Sequence, residues 1–181
     1  MPRITDQKKL EGFIKSRRVV ELRDLFEVVQ STSRMTVFRR LSGIAYLCSF
    51  SHAGRYYTHR DIAQFNRDGL WFYDDIGFSH NGSLKKTVIF LVNRSDVGRF
   101  HADLERQLRI RVHNVLLDLV RSRQIDRMKF GGQYLYLRKK FIAYLAIAHR
   151  ESRSKINGVV FLNLCISVAI RFVPLYFPID L

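Results

Sequence analysis

Between Arg34 and Arg60 the chain carries no aspartate or glutamate, while Arg34, Arg39, Arg40, Arg55 and Arg60 all fall inside that stretch. A guanidinium offers a planar fork of donors that fits a phosphate, or the edge of guanine, through two hydrogen bonds at once. An acid-free run of arginines therefore suits a polyanion. Catalytic chemistry is thinly represented. Asp74 and Asp75 are adjacent, and neighbours on a strand point to opposite faces, so they share no site. His52, His59, His80, His101, His113 and His149 show no ligand spacing, and no HExxH, GxSxG or GxxxxGK occurs. Cys48 and Cys165 lie far apart without a CxxC, and read as two lone thiols more readily than as a disulfide. Tyr56 and Tyr57 lack the histidine and arginine framework of a recombinase nucleophile and read as strand-packing residues. No enzyme activity, cofactor or metal is expected.

The whole chain repeats the bias. Its 181 residues hold 31 Lys and Arg against 16 Asp and Glu, a net charge of +15, alongside 47% hydrophobic and 13% aromatic residues. That much apolar material excludes a disordered basic tail and supports a packed core. A compact basic protein most often meets phosphate, in nucleic acid or at an anionic membrane surface. The polar start Met-Pro-Arg-Ile-Thr-Asp predicts no secretory signal, so a cytoplasmic, nucleoid-associated location is expected.

These arginines need elements to position them. Leu10, Phe13 and Ile14 predict a helix over residues 5 to 16, and Val19-Val20 a brief strand or connector. Leu22, Leu25, Phe26 and Val29 fall at i, i+3, i+4 and i+7 of a second helix. Ser33 suits the N-cap of a third, with Val37, Leu41 and Ile44 inward. Residues 45 to 51, His52-Ala53-Gly54-Arg55 and Tyr56-Tyr57-Thr58 then read as a hairpin. In its order of helices, turn and hairpin this stretch resembles the winged helix-turn-helix superfamily. The resemblance implies that the third helix enters the major groove and the wing touches the backbone.

The order recurs. Ser83 caps a helix carrying Leu84, Val88, Leu91 and Val92, followed by Leu104 and Leu108, then Val112, Val115, Leu116 and Leu119, then a hairpin turning at Gly131-Gly132. A shift of 78 residues pairs Val37 with Val115, Leu41 with Leu119, Leu47 with Ile125, Gly54 with Gly132 and Tyr56 with Tyr134. The expected fold is α+β, mainly helical, with two winged helix-turn-helix units. The first spans residues 1–60, an aromatic, strand-like linker 61–82 with Leu70-Trp71-Phe72-Tyr73, and the second unit 83–137. A basic helix over 138–158 and an apolar tail over 159–181 follow, the tail being a packed segment or an atypical, truncated end. Val159 to Ile170, interrupted by Asn163 and Ser167, falls short of the roughly 20 apolar residues of a span, so a membrane element is the lesser reading.

On the third helix, Thr36, Arg39 and Arg40 are expected to face outward, with Arg34 and Met35 at the end that meets base edges. Arg55, with His52, would lie over phosphates at the wing. In the second unit Asn114 is the candidate for adenine, opposed by Asp118, and Arg127 and Lys129 make its wing basic. The expected function is sequence-specific binding of double-stranded DNA, as in a transcriptional regulator, and a homodimer is compatible with it. Two alternatives stand beside it: the DNA-end-binding head of a transposase or recombinase lacking its catalytic domain, and a protein-interaction module. RNA remains open as a partner.

Overall fold

Phe50 leaves one half of the molecule and is buried in the other, and the architecture is arranged around that crossing. A computed structural model describes residues 4–130 and 132–139. The amphipathic stretches fold as α1 (Ile4–Arg17), α2 (Leu22–Val29) and α3 (Arg34–Leu41), with the short strands β1 (Val19–Glu21), β2 (Tyr46–Cys48) and β3 (Tyr56–His59). These strands form an antiparallel sheet in the order β1-β3-β2. Leu10, Ile14, Leu25, Val29, Val37, Leu41 and Tyr57 make one core. Ser33 caps α3 by accepting the Thr36 N–H at 3.5 Å.

The second half repeats the plan. It contains α4 (Leu84–Arg94), α5 (His101–Leu108) and α6 (His113–Arg121), with β6 (Arg99–Phe100), β7 (Ile125–Phe130) and β8 (Gln133–Arg138) in the sheet order β6-β8-β7. Ser83 caps α4 as expected, accepting the Lys86 N–H. The register of the repeat needs correction. Leu10 and Val88, or Ile14 and Val92, are buried counterparts 78 residues apart. From the second helix onward the buried pairs are Leu25 and Leu104, Val29 and Leu108, Val37 and Leu116, and Tyr57 and Tyr136, all 79 apart. Tyr134 therefore stands where the first unit has Arg55, and not at the place of Tyr56.

Residues 61–82 fold as more than a linker. They form a hairpin, β4 (Leu70–Tyr73) and β5 (Ile76–Ser79), a two-stranded sheet of its own. Asp74 and Asp75 make its turn, with Asp74 at φ 51°, and are not on a strand. Among the described residues helix makes up 44% and strand 25%, so the fold is α+β but not mainly helical. The extra strand content lies in this hairpin and in β1 and β6, segments of two to four residues too short to show a periodicity. Arg138 closes β8 and does not begin a helix; the expected basic helix beyond residue 139, and the apolar tail, lie outside the described residues. Among the described residues no helix is long and apolar enough to cross a membrane.

The hairpin joins the halves. Beyond β2 the chain continues along β5, through a bridge between Ser49 and Phe78 and a bond from the Phe50 N–H to the Gly77 carbonyl at 2.8 Å. The Gly77 N–H in turn donates to Ser51 Oγ at 2.8 Å. Phe50, from the first half, packs with Leu70, Val88, Leu91, Leu104, Leu116 and Ile125 in the core of the second, its ring edge-on to Phe72 at 6.0 Å. Gly77 permits the crossing, because a Cβ there would stand 2.4 Å from the Phe50 ring. Phe50→Ala is expected to lower stability by about 3–5 kcal/mol, through lost burial and the cavity left behind. Followed by urea unfolding, it is also expected to split one transition into two, the second half melting first; unchanged cooperativity would contradict the shared core.

Candidate nucleic-acid interface

The third helix of the first unit presents its charge as the sequence suggests. At about 100° per residue, the buried Val37 and Leu41 set one side of α3, and Met35, Thr36 and Arg39 run along the opposite side. Met35 is 77% exposed, the most exposed large apolar side chain described. Arg39 is exposed and Thr36 half-buried. Arg34 flanks the stripe on one side, its guanidinium 5.8 Å over the Phe38 ring, and half-buried Arg40 flanks it on the other. Phe38 meets Tyr57 edge-on at 6.0 Å, which ties the Arg34 shelf to the core. No acidic residue lies on the helix.

The first hairpin is pulled inward. His52-Ala53-Gly54 form a single 3-10 turn, all three at positive φ. His52 is held from three sides: Nδ1 lies 2.9 Å from Ser51 Oγ, Nε2 lies 3.2 Å from an Asp75 carboxylate oxygen, and the ring meets Tyr56 edge-on at 5.5 Å. It thus fastens the wing to the central hairpin, a role the sequence reading did not foresee because Asp75 is 23 residues away. Arg55 is exposed, with its Nε donating to the His52 carbonyl at 3.3 Å.

In the second unit the outward side of α6 carries Asn114, Asp118 and Arg121, all exposed. Asp118 is paired with Lys85 of α4 at 3.0 Å, so the carboxylate that opposed phosphate arrives with its own cation. Glu105 of α5 accepts the Val112 N–H at 3.0 Å and pairs with His101 at 3.2 Å, placing a carboxylate at the start of α6. The second hairpin, by contrast, has strands of six residues each. Arg127 stacks 4.3 Å over Tyr134, and Lys129 is exposed. The helix free of carboxylates and the long hairpin therefore belong to different units.

Beneath each wing a tyrosine is buried against its sheet. Burial pushes the Tyr57 hydroxyl up to about 12, with the neighbouring Cys48 thiol adding to the rise and Arg34 opposing it. Burial raises Tyr136 as well, Arg127 opposing. The Cys48 thiol is raised by the same burial and donates to the Gly54 carbonyl at 3.2 Å. Among the described residues no group of three His, Cys, Asp or Glu side chains could hold a metal ion. No family model matches the chain, and neither curated proteins nor solved structures give a match.

A hydroxyl whose folded value lies above its unfolded value, near 10, favours the fold while it is neutral. Stability is therefore expected to hold below pH 10 and to fall between pH 10 and about 12. Tyr57→Phe, with no proton to lose, is expected to flatten the decline. Chemical denaturation across that range measures it; an unchanged slope in Tyr57→Phe would remove Tyr57 as the cause.

Proposed function

We propose that the chain binds double-stranded DNA in a sequence-specific way, α3 reading base edges in the major groove while the hairpins hold the backbone. The observation that carries this reading is the outward stripe of α3: exposed Met35 and Arg39 with half-buried Thr36, between Arg34 and Arg40, and no carboxylate on the helix. Arg39 suits the O6 and N7 acceptors of guanine, and Met35 and Thr36 suit the thymine methyl. Arg34 and Arg40, on the flanks, suit the phosphates bordering the groove.

The order of elements supports the same use. Each unit runs helix, strand, helix, helix, strand, strand, with its first strand beside its last. That order resembles the winged helix-turn-helix proteins, which present their third helix in this way. Asn114 and Arg121 of α6, with Asp118 tied to Lys85, offer a weaker reading surface, so the second unit serves mainly through Arg127 and Lys129 of its hairpin. A DNA-binding regulator associated with the nucleoid fits these features and the +15 charge.

Selection from a random duplex pool, followed by titration at several salt concentrations, tests the reading. The wild type is expected to enrich one motif. Arg39→Ala is expected to cost about 1–3 kcal/mol and relax preference at one base pair. Arg34→Ala is expected to weaken all duplexes alike and to reduce the salt slope by about 1. No enriched motif, or equal effects of the two substitutions, would overturn base reading by α3.

A further inference from the structure

We infer that the tip of the second hairpin is a stacking platform for unpaired DNA bases, next to the duplex contacted by α3; the inference rests on DNA being the partner. In the β7–β8 register Lys129 stands opposite Tyr134 and Arg127 opposite Tyr136. Residues opposite one another, and two apart along a strand, share a face. Arg127, Lys129 and Tyr134 therefore form one basic and aromatic face. Tyr134 is 46% exposed and Phe130, on the other face of the ribbon, 37%. These are two of the four large apolar side chains left exposed among the described residues; Phe130 faces Phe100 at 6.4 Å on its side of the ribbon, which leaves Tyr134 as the ring of the basic face.

The platform is held ready. Arg127 has its guanidinium 4.3 Å over the Tyr134 ring and stands opposite the buried Tyr136 in the register, where its charge opposes the rise that burial causes in the Tyr136 hydroxyl. A base stacking on Tyr134 would find a ring already ordered, with Lys129 exposed directly opposite it for the phosphate. Asp126, half-buried at the base of the ribbon, is the one carboxylate on either strand. The first unit has no such feature: Arg55 holds the place of Tyr134, and Tyr56 lies under His52. Every base has a π face, so a ring beside cations binds unpaired nucleotides with little regard to sequence. A paired duplex offers that ring only an edge or a backbone unless a base step is opened.

Fluorescence polarisation with the full chain tests this on four probes: oligo(dT), oligo(rU), a blunt selected duplex, and that duplex with a single-stranded dT tail. The wild type is expected to bind oligo(dT) and to prefer the tailed duplex over the blunt one. Tyr134→Ala is expected to weaken both dT-containing probes about 5- to 150-fold, the range for loss of one base–aromatic stack, and to leave the blunt duplex unchanged. Tyr134→Phe keeps the ring and is expected to bind as the wild type; circular dichroism melting checks that the alanine variant remains folded. Tyr134→Ala binding dT probes normally, equal losses on blunt and tailed duplex, or tighter binding of oligo(rU) than oligo(dT) would each overturn the inference. The two readings fail separately. Tyr134-dependent dT binding without an enriched duplex motif would keep the platform and sink base reading by α3, and the reverse result would do the opposite.

Discussion

The burial of Phe50 across the middle of the molecule is the constraint on which the rest depends. The core of the second half takes a ring from the first, so neither its packing nor the position of the central hairpin is independent of the residues that precede it. Gly77 makes room for the ring, and its two backbone groups bond the Phe50 carbonyl's own neighbours, the Phe50 N–H and Ser51 Oγ. Polar links surround this apolar one. Thr87 and Ser79 meet hydroxyl to hydroxyl at 2.7 Å in a buried site, Gln107 donates to Asp68, and Arg109 lies 4.3 Å over Phe72. On the other side, Lys15 of α1 joins Glu11 to Asp61 while His59 lies between the same two carboxylates. The exposed ion pairs contribute little to stability by themselves; the buried ring and the backbone bonds fix the geometry.

That joint divides the surfaces between the units. Extending β2 toward β5 uses up the first wing, whose loop ends on Asp75 and Gly77 instead of projecting into solvent. The second wing has no such neighbour and stands out as a ribbon of full length. Conversely, α3 keeps an outward face without carboxylates, whereas the start of α6 is occupied by Glu105 and its side by Asp118. One unit keeps a helix face free of carboxylates and the other a full-length hairpin with an exposed ring, the two surfaces that the proposed DNA contacts would use.

Much of the architecture was legible because burial imposes a period. The stripes Leu22, Leu25, Phe26, Val29 and Val88, Leu91, Val92 locate their helices, and Ser33 and Ser83 mark where two of them start. The Gly54 turn was legible for the same kind of reason, since its φ of +71° favours glycine. What escaped lacks a local signal. β6, two residues long, is defined by pairing with β8, the choice of strand over connector at Val19-Val20 is made by pairing with β3, and Ile76-Gly77-Phe78-Ser79 shows its role only once Phe50 lies against it. The one-residue slip in the repeat was hidden by a coincidence of residue type: Val115 and Tyr134 match Val37 and Tyr56 in kind, while the residues 79 positions on from those two are Leu116 and Leu135. At the candidate interface, the outward stripe of α3 followed from helix geometry, but the capture of His52 by Asp75 is a long-range contact with no trace in spacing.

The corrected register changes what the duplicated hairpins mean. Tyr57 and Tyr136 occupy one structural position, each buried and each with its hydroxyl raised by that burial, because both pack their sheet onto the helices behind it. Two residues earlier the units part. Arg55 in the first bonds the carbonyl of its own turn, while Tyr134 in the second leaves its ring half in solvent under Arg127. A packed core explains the buried pair without reference to a partner. It does not explain Tyr134, whose ring lies far along the ribbon, half in solvent, and is covered by the Arg127 cation. An aromatic ring kept half in water under Arg127 and opposite Lys129, on a chain of charge +15, is the observation behind the proposed stacking surface for unpaired bases.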